Sequence, residues 1–248
     1  MIETDLTAKS EQQTQLFLRK NAEILEMIAT GQSASSIYDA IALMYEARHP
    51  GMRCSLLELK GNKLMHGGAP SLPKEYCDAV NGLENGPCVG SCGTSTYTGK
   101  RVLVENIETD PKWAVIKQAA LPHGLRCCWS EPIKDSNGKV LGAFGMYYNH
   151  PALPNEDELS DLHSAARLAG IVMESDQREI ALRQSENKYR TLVENMPQRL
   201  FLKDKNSVFV SCSNNLAEDL GITPEQIVGT TDYDYFPKED AEHYRQDD

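Results

Sequence analysis

The stretch Gly86-Pro-Cys-Val-Gly-Ser-Cys-Gly-Thr-Ser-Thr-Tyr-Thr-Gly-Lys100 is the part of this chain that decides its fold. It is followed by Val102-Leu-Val-Glu-Asn-Ile107, an alternating run that is typical of a β-strand. The glycines allow tight turns and a close approach of the backbone to another group. We predict a glycine-rich loop, a short helix over 94–98 whose first N–H groups are free to bind an anion, and then a strand over 102–107. No Gly-Lys-Ser/Thr follows at Walker spacing, which excludes a P-loop.

The segments around this stretch predict an antiparallel sheet with helices packed on it. Gly61-Asn62 and Asp135-Ser-Asn-Gly138 are turn sequences of the kind that join two strands of a hairpin. Apolar residues at helical spacing precede and follow the strands. The predicted strands are 52–60, 63–66, 102–107, 126–133 and 140–147, and the predicted helices between them are 72–83 and 113–121. This pattern indicates an α+β domain.

Further motifs make a family resemblance specific. Gly90-Ser-Cys-Gly-Thr94 and the strand at 102–107 are followed by Asp110-Pro-Lys-Trp113 and by Gly124-Leu-Arg-Cys-Cys-Trp-Ser-Glu-Pro-Ile133. In this order, the motifs resemble the GAF domains of bacterial and archaeal sensor proteins, over about residues 20–175. The resemblance implies an antiparallel-sheet domain with flanking helices that binds a ligand or relays a signal, and not a catalyst.

From near residue 185 the sequence resembles a second family. The run Ser185-Glu-Asn-Lys-Tyr-Arg-Thr-Leu-Val-Glu-Asn-Met-Pro197 is similar to the lead-in of a PAS domain, 201–210 to its first hairpin and 214–220 to its next helix. Only the N-terminal half of such a domain is present, so the chain is either a fragment or a partial PAS domain with an unusual completion. We therefore expect an N-terminal helix (1–30), a GAF domain (31–174), a signalling-helix linker (175–190) and a partial PAS domain (191–248).

The helices at both ends of the GAF domain predict a homodimer. Apolar residues recur at helical spacing before residue 30, and a heptad pattern follows residue 165. Polar residues occupy half of the heptad positions, so the seam is weak. We expect 11–30 and 165–192 to associate in a parallel two-fold bundle; the alternative is an exposed connecting helix with accidental periodicity. The apolar heptad positions are Leu168, Ile171, Leu182, Tyr189 and Leu192.

The composition and charge of the chain limit the classes of binding partner and the cellular compartment that we expect. A formal net charge of −11 argues against nucleic acid or an anionic membrane as a general partner. The polar start and the absence of a long apolar run predict no membrane insertion and a cytoplasmic location. Seven cysteines are expected to be mostly reduced in that compartment.

The candidate ligand pocket lies between the sheet and its covering loops. Glycine-rich backbone would approach the ligand, two tryptophans would form apolar walls, and a tyrosine and an arginine would orient polar atoms. Packing of the same side chains in a core without a pocket remains the alternative. The candidate residues are Cys92, Thr94, Ser95, Tyr97, Trp113, Arg126, Cys128 and Trp129.

The cofactor is unknown from the sequence. Cysteine is often buried as a small apolar residue, so we favour packing over a reversible Cys92–Cys128 redox pair or a metal site. Haem or another small ligand could be held through His66 or His123, although a lone histidine in a loop is more often solvated. The Cys-His dipeptide of bilin-attaching members is absent, because Trp129 follows Cys128, and the signature of cyclic-nucleotide-binding members is also absent.

The functional expectation is a sensor and not an enzyme. The sequence contains no hydrolase, metalloprotease, kinase-nucleotide or cyclase motif. We expect the GAF–PAS input segment of a cytoplasmic sensor histidine kinase in a two-component phosphorelay. The alternatives are the input segment of a diguanylate cyclase or phosphodiesterase, and a cysteine-based redox enzyme of the free methionine sulfoxide reductase type.

Overall fold

An antiparallel sheet is the centre of the first part of the molecule. The computed structural model describes residues 2–196 and 198–247, and within them five strands pair in the order β2-β1-β5-β4-β3. All neighbouring pairs in this sheet are antiparallel. The strands are β1 (Arg53–Lys60), β2 (Lys63–Gly68), β3 (Val102–Val104), β4 (Cys127–Lys134) and β5 (Val140–Tyr148). With the helices described below, the predicted α+β class is confirmed.

Helices precede, interrupt and follow these strands along the chain. Their bounds are α1 (Ile2–Ala29), α2 (Ala34–Arg48), α3 (Lys74–Val80), α4 (Gly90–Thr98), α5 (Lys117–Ala120) and α6 (Glu156–Glu194). Contacts divide the chain into two compact units after Gln177, so α6 begins in the first unit and ends in the second. In the part of the chain that the structure describes, no helix is both long and apolar enough to cross a membrane.

The two faces of the sheet carry separate apolar clusters. Successive residues of a strand point to opposite faces, so Cys127 and Trp129 pack with α1, α2 and α6. Cys128, Ala143 and Tyr147 pack on the other face with α3, α4 and α5. The buried residues of this sheet therefore lie in two environments, the face covered by the long helices and the face covered by the short ones.

Helix α6 is anchored to the sheet at its first turn. Asn155 and Glu158 form a capping box: the Asn155 N–H donates to Glu158 Oε2 and the Glu158 N–H donates to Asn155 Oδ1, both at 2.9 Å. The Tyr148 hydroxyl, from the end of β5, donates to Glu158 Oε1 at 2.7 Å. A stripe of small and aliphatic residues then packs on the sheet: Leu162, Ala165, Ala166, Ala169, Val172 and Met173.

A buried carboxylate joins α2 to α6. Asp161 Oδ2 lies 2.5 Å from Arg48 Nε and 2.7 Å from His49 Nε2. The Arg48 guanidinium also stacks over the Phe17 ring of α1, 4.9 Å from its centroid. These contacts connect the three long helices on one face of the sheet.

The second unit is built on a small hairpin. β6 (Phe201–Lys203) and β7 (Phe209–Cys212) pair antiparallel and are followed by α7 (Asn214–Leu220) and α8 (Lys238–Asp247). The hairpin and α7 occupy the segments predicted from the PAS resemblance. A buried ion pair joins Lys203 Nζ to Asp232 Oδ2 at 2.7 Å, beside an apolar cluster of Phe209, Cys212, Ala217 and Ile227.

Three local predictions in and after the glycine-rich stretch are wrong. Helix α4 begins at Gly90 and not at Thr94, so the amides of Thr94 and Ser95 lie inside the helix and are not free to bind an anion. The strand predicted over 102–107 ends at Val104 as β3, although the Ile107 N–H still donates to the Arg126 carbonyl at 2.8 Å. The predicted helix over 113–121 is broken into short 3-10 turns around α5.

Candidate functional site

Helix α4 lies against the sheet face that the short helices cover. Its buried residues are all small: Gly90, Ser91, Cys92, Gly93, Thr94, Ser95 and Thr96. The threonine hydroxyls of α4 donate hydrogen bonds to nearby backbone carbonyls: Thr96 Oγ1 to Cys92 O at 2.9 Å and Thr94 Oγ1 to Pro87 O at 3.1 Å. Small side chains with locally satisfied hydroxyls let the helix backbone approach the sheet closely.

A row of small residues crosses the sheet beneath this helix. Gly145 of β5 pairs with Ser130 of β4 on one side and with Ser55 of β1 on the other. A Cβ atom on Gly145 would lie 2.9 Å from Cys92 Sγ, 3.1 Å from Ser55 Oγ and 3.1 Å from Tyr147 OH. Three polar atoms thus converge over a strand position that has no side chain.

These groups form a buried network, which we call the thiol–hydroxyl cluster: Cys92, Cys128, Ser55, Ser130 and Tyr147. Tyr147 OH lies 3.7 Å from Cys92 Sγ and 3.2 Å from Ser55 Oγ. From α3, the Tyr76 hydroxyl donates to Tyr147 OH at 3.4 Å. All five side chains of the cluster are buried, so they interact without competition from water.

Ionisation in the cluster favours a thiolate at Cys92. The pKa of Cys92 is lowered to about 7, because the lowering by the neighbouring Cys128 thiol, and by Ser130, Tyr147 and Ser55, together outweighs the opposing effect of burial. Burial raises the pKa of Cys128 and of Tyr147 well above their usual values. Both therefore stay protonated near neutral pH and serve as donors to the Cys92 sulfur.

Two hydroxyls in this region are buried without a hydrogen-bond partner, namely Ser95 Oγ and Ser130 Oγ. Ser130 makes no directed hydrogen bond, although it lies near enough to the Cys92 sulfur to lower the pKa of that thiol. An unsatisfied buried hydroxyl costs about 1–3 kcal/mol of folding free energy.

The structure brings some of the predicted pocket residues together. Cys92, Thr94, Ser95 and Cys128 are all buried at the contact of α4 with β4 and β5. Trp113 joins them, because its Nε1–H donates to Ser91 Oγ at 3.1 Å. Ser91 Oγ in turn donates to the Cys128 carbonyl at 2.8 Å.

The other predicted residues lie elsewhere. Trp129 is on the opposite face of the sheet and donates from Nε1 to Ala152 O at 2.9 Å, so it does not line a pocket with Cys92. Tyr97 follows the buried part of α4 and is 60% exposed. Arg126 lies just before β4 and is partly exposed, with Nη1 3.9 Å from Glu108 Oε2. None of these three faces the thiol–hydroxyl cluster.

Sequence reasoning missed Ser55, Tyr76, Ser130, Gly145 and Tyr147. One signal was present in the run Gly142-Ala-Phe-Gly-Met-Tyr147, because residues two apart on a strand share a face and would place a glycine beside a tyrosine hydroxyl. Ser55 and Ser130 become neighbours only through the pairing of three strands.

His66 is the histidine most relevant to a cofactor. Both of its ring nitrogens are buried without a partner, and burial lowers the pKa of the ring, so it is neutral near pH 7. The His123 residue lies in a 3-10 turn after α5. Among the residues that the structure describes, no three His, Cys, Asp or Glu side chains are grouped to hold a metal ion.

Comparison with known families matches both parts of the chain. Residues 40–174 match the family model of the GAF domain. Residues 193–248 match the family model of the PAS fold. The first match covers the whole sheet and the first part of α6, and the second begins near the end of α6.

Individual relatives agree with these matches. The chain is 35% identical over 238 residues to the methyl sulfide methyltransferase-associated sensor of Methanosarcina acetivorans; the match covers 95% of this chain and 24% of that protein, so the chain spans about a quarter of the relative's length. A domain assigned to a two-component sensor histidine kinase of Sinorhizobium meliloti 1021 has a TM-score of 0.50 at 20% identity, covering 62% of this chain and 99% of that one. Free methionine-R-sulfoxide reductase from Neisseria meningitidis has a TM-score of 0.52 at 14% identity, covering 69% and 93%; likeness at such identities shows the fold alone.

The contribution of the Tyr147 hydroxyl to the pKa of Cys92 can be tested by mutation. Replacing Tyr147→Phe removes a donor to the Cys92 sulfur while keeping the ring, so the pKa of Cys92 should rise from about 7 towards its ordinary value near 9. The measurement is a pH titration of cysteine labelled with ¹³C at Cβ, followed by NMR.

The matched control for this titration is Tyr148→Phe. Tyr148 is the next residue of β5, but its hydroxyl bonds to Glu158 on the opposite face. The control should leave the Cys92 titration unchanged. Equal shifts in both variants, or no shift in Tyr147→Phe, would contradict the described cluster.

Proposed function

Since this chain belongs to the GAF domain family and continues into a PAS fold, we propose that it is the sensory input segment of a cytoplasmic two-component sensor histidine kinase. A relative that covers nearly the whole chain is described as a sensor. A domain with the same fold is assigned to a two-component sensor histidine kinase. A cytoplasmic location fits the odd number of cysteines in the sequence, seven, which argues against a complete disulfide framework.

The continuity of α6 is the observation that carries this proposal. Its first half packs into the GAF core through a stripe of buried residues. Its second half, beyond Gln177, is exposed and ends where the match to the PAS fold begins. One helix thus begins in the core of the GAF domain and ends where the PAS match begins, so α6 is the element along which a change in GAF packing would be passed on.

We place the signal at the thiol–hydroxyl cluster. A small molecule there would meet the unpartnered hydroxyls of Ser95 and Ser130 and the thiols of Cys92 and Cys128. Trp113 would supply an apolar wall, and Thr94 would contribute through the buried side of α4. The proposed site therefore excludes Tyr97, Arg126 and Trp129, which lie away from the cluster.

Homodimerisation through the terminal helices is part of the proposal. On α6 the apolar heptad residues Ile171, Leu182, Tyr189 and Leu192 are all exposed, and on α1 so are Leu16, Leu18 and Leu25. Large apolar side chains at heptad spacing are stabilised when a second helix covers them. A parallel pair of α6 helices would bury these residues and give the relay two-fold symmetry.

The dimer is tested by one charge placed on or off the heptad seam. Leu182→Asp introduces a carboxylate at a seam position that is 61% exposed in the single chain, so it should weaken the dimer at least tenfold. Ile180→Asp is the matched control, because Ile180 is 48% exposed on the same helix but off the seam. Sedimentation velocity across micromolar concentrations measures both.

The control variant should dimerise like the unmodified chain, and both variants should keep the GAF fold, since neither residue belongs to its core. A monomeric unmodified chain at high micromolar concentration would refute the dimer. Equal weakening by both variants would show that the predicted seam is not the interface.

The kinase assignment is tested on the full-length parent protein. Incubation with labelled ATP should label a histidine, recognised because phosphohistidine is stable in base and labile in acid. The 248-residue segment is the control and should stay unlabelled, because its sequence has no kinase nucleotide-binding motif. A parent that does not label itself and instead makes a cyclic dinucleotide from GTP would overturn the kinase in favour of a cyclase.

A further inference from the structure

The surroundings of the Cys92 sulfur are not those of a cysteine that serves only as an apolar side chain. A buried thiol in an aliphatic environment has a raised pKa and is inert. Cys54 and Cys127 fit that description, since burial raises the pKa of Cys54 well above its usual value and that of Cys127 to about 11. Cys92 differs, because hydroxyl groups converge on its sulfur from β1, β4 and β5.

The geometry of this convergence is built into the sheet. Gly145 has no side chain, and a Cβ atom there would lie 2.9 Å from the Cys92 sulfur, so the glycine leaves the space that the sulfur occupies. Ser55 and Ser130 flank that glycine on the neighbouring strands. Tyr147, two residues further along β5, places its hydroxyl 3.7 Å from the sulfur.

Ser130 provides an independent observation. Its hydroxyl is fully buried and has no hydrogen-bond partner. Such a group is costly in a neutral core, but it stabilises a negative charge that forms beside it. The hydroxyl is therefore suited to an anionic sulfur at Cys92.

A second thiol completes the arrangement. Cys128 lies on the same sheet face as Tyr147, with which it pairs across β4 and β5, and it belongs to the same buried cluster as Cys92. The Tyr147 hydroxyl lies 3.7 Å from the Cys92 sulfur, and Ser91, the residue before Cys92, donates to the Cys128 carbonyl at 2.8 Å. The two sulfurs are thus neighbours, one ready to ionise and the other protonated.

We propose that Cys92 and Cys128 form a thiol pair that hydrogen peroxide or a related small hydroperoxide converts reversibly into a disulfide. Disulfide formation is a property of the segment itself, and only its role as a signal rests on the proposed sensor function. Peroxide suits the site because it is small, and the Cys92 side chain retains 5% exposure.

The reaction has two steps. The Cys92 thiolate attacks one oxygen of the peroxide, the O–O bond breaks, and the released hydroxide takes up the proton lost from the thiol as water. This leaves Cys92 as a sulfenic acid. The Cys128 sulfur then attacks the Cys92 sulfur, an S–S bond forms, and the sulfenic oxygen leaves with the Cys128 proton as a second water. Two thiols and one peroxide thus become one disulfide and two waters.

The reverse reaction requires an external dithiol. Its thiolate attacks the disulfide, and the two cysteines return as thiols while the dithiol becomes oxidised. Because Cys92 belongs to α4 and Cys128 to β4, the disulfide fixes this helix to the sheet at one point. The reduced pair holds them together only through packing and hydrogen bonds.

The experiment treats the purified 248-residue chain with hydrogen peroxide, blocks free thiols with N-ethylmaleimide and maps the products by non-reducing peptide mass spectrometry. We expect a Cys92–Cys128 disulfide that dithiothreitol reverses. In Cys128→Ala the sulfenic acid should persist at Cys92 and be captured by dimedone. Cys127→Ala is the matched control, since its thiol lies on the other sheet face, and it should form the disulfide as the unmodified chain does.

Tyr147→Phe should slow the oxidation of Cys92 several-fold at pH 7, because a smaller fraction of the thiol is ionised. Disulfide mapping of the unmodified chain tests the proposal even if a variant fails to fold. Unmodified Cys92 and Cys128 after peroxide has oxidised the exposed Cys88, or a disulfide to any other cysteine, would overturn the proposal. The outcome is independent of ATP labelling, so failure of the kinase assignment and failure of the thiol pair are separately visible.

Discussion

The close contact between α4 and the central sheet is the constraint on which the rest of the first domain depends. Gly145 makes it geometrically feasible, because a side chain at that position would occupy the space of the Cys92 sulfur. The small residues of α4 serve the same purpose from the helix side. The seven consecutive buried residues are small, so they bury less apolar surface than large side chains would. In exchange, the α4 backbone comes close to the sheet, and the thiol–hydroxyl cluster is enclosed in the interior.

The strands beneath α4 connect the cluster to the long helices. Tyr147 faces the cluster, whereas the next residue, Tyr148, bonds to Glu158 at the first turn of α6. Cys128 faces the cluster in the same way, whereas Trp129 packs against the other layer. Because adjacent residues of one strand touch opposite layers, a shift of the strand is felt on both sides of a close-packed sheet. This arrangement gives the sensor proposal a physical route from the cluster to α6.

Much of the fold could be predicted from the sequence because its signals are local. The hairpins at Gly61 and Gly138, the capping box at the start of α6 and the PAS-like helix over 214–220 depend on short-range turn and cap chemistry. The start of α4 was missed because glycines at 90 and 93 disfavour a helix by about 1 kcal/mol each in isolation. Packing on the sheet overrides that local preference.

The composition of the candidate site was less predictable for a different reason. β4 is buried on both faces, so Cys127, Cys128, Trp129 and Ser130 show no alternation that would tell which of them share a face with α4. Because neighbouring residues of a strand point to opposite faces, Cys128 and Trp129 could not both line one pocket, and the structure places Cys128 on the face of α4. The serine neighbours of Gly145 come from two other strands, β1 and β4, and only the pairing of both with β5 brings them together.

A double-mutant cycle between Gly145 and Cys92 tests the central contact most directly. Gly145→Ala, Cys92→Ala and the double variant are compared with the unmodified chain by urea denaturation of the GAF unit. If α4 rests on the sheet as described, Gly145→Ala should be much less destabilising when the Cys92 sulfur is absent, with a coupling free energy on the order of 1 kcal/mol. Additive effects would show that the sulfur does not occupy the space above Gly145, and would contradict the account.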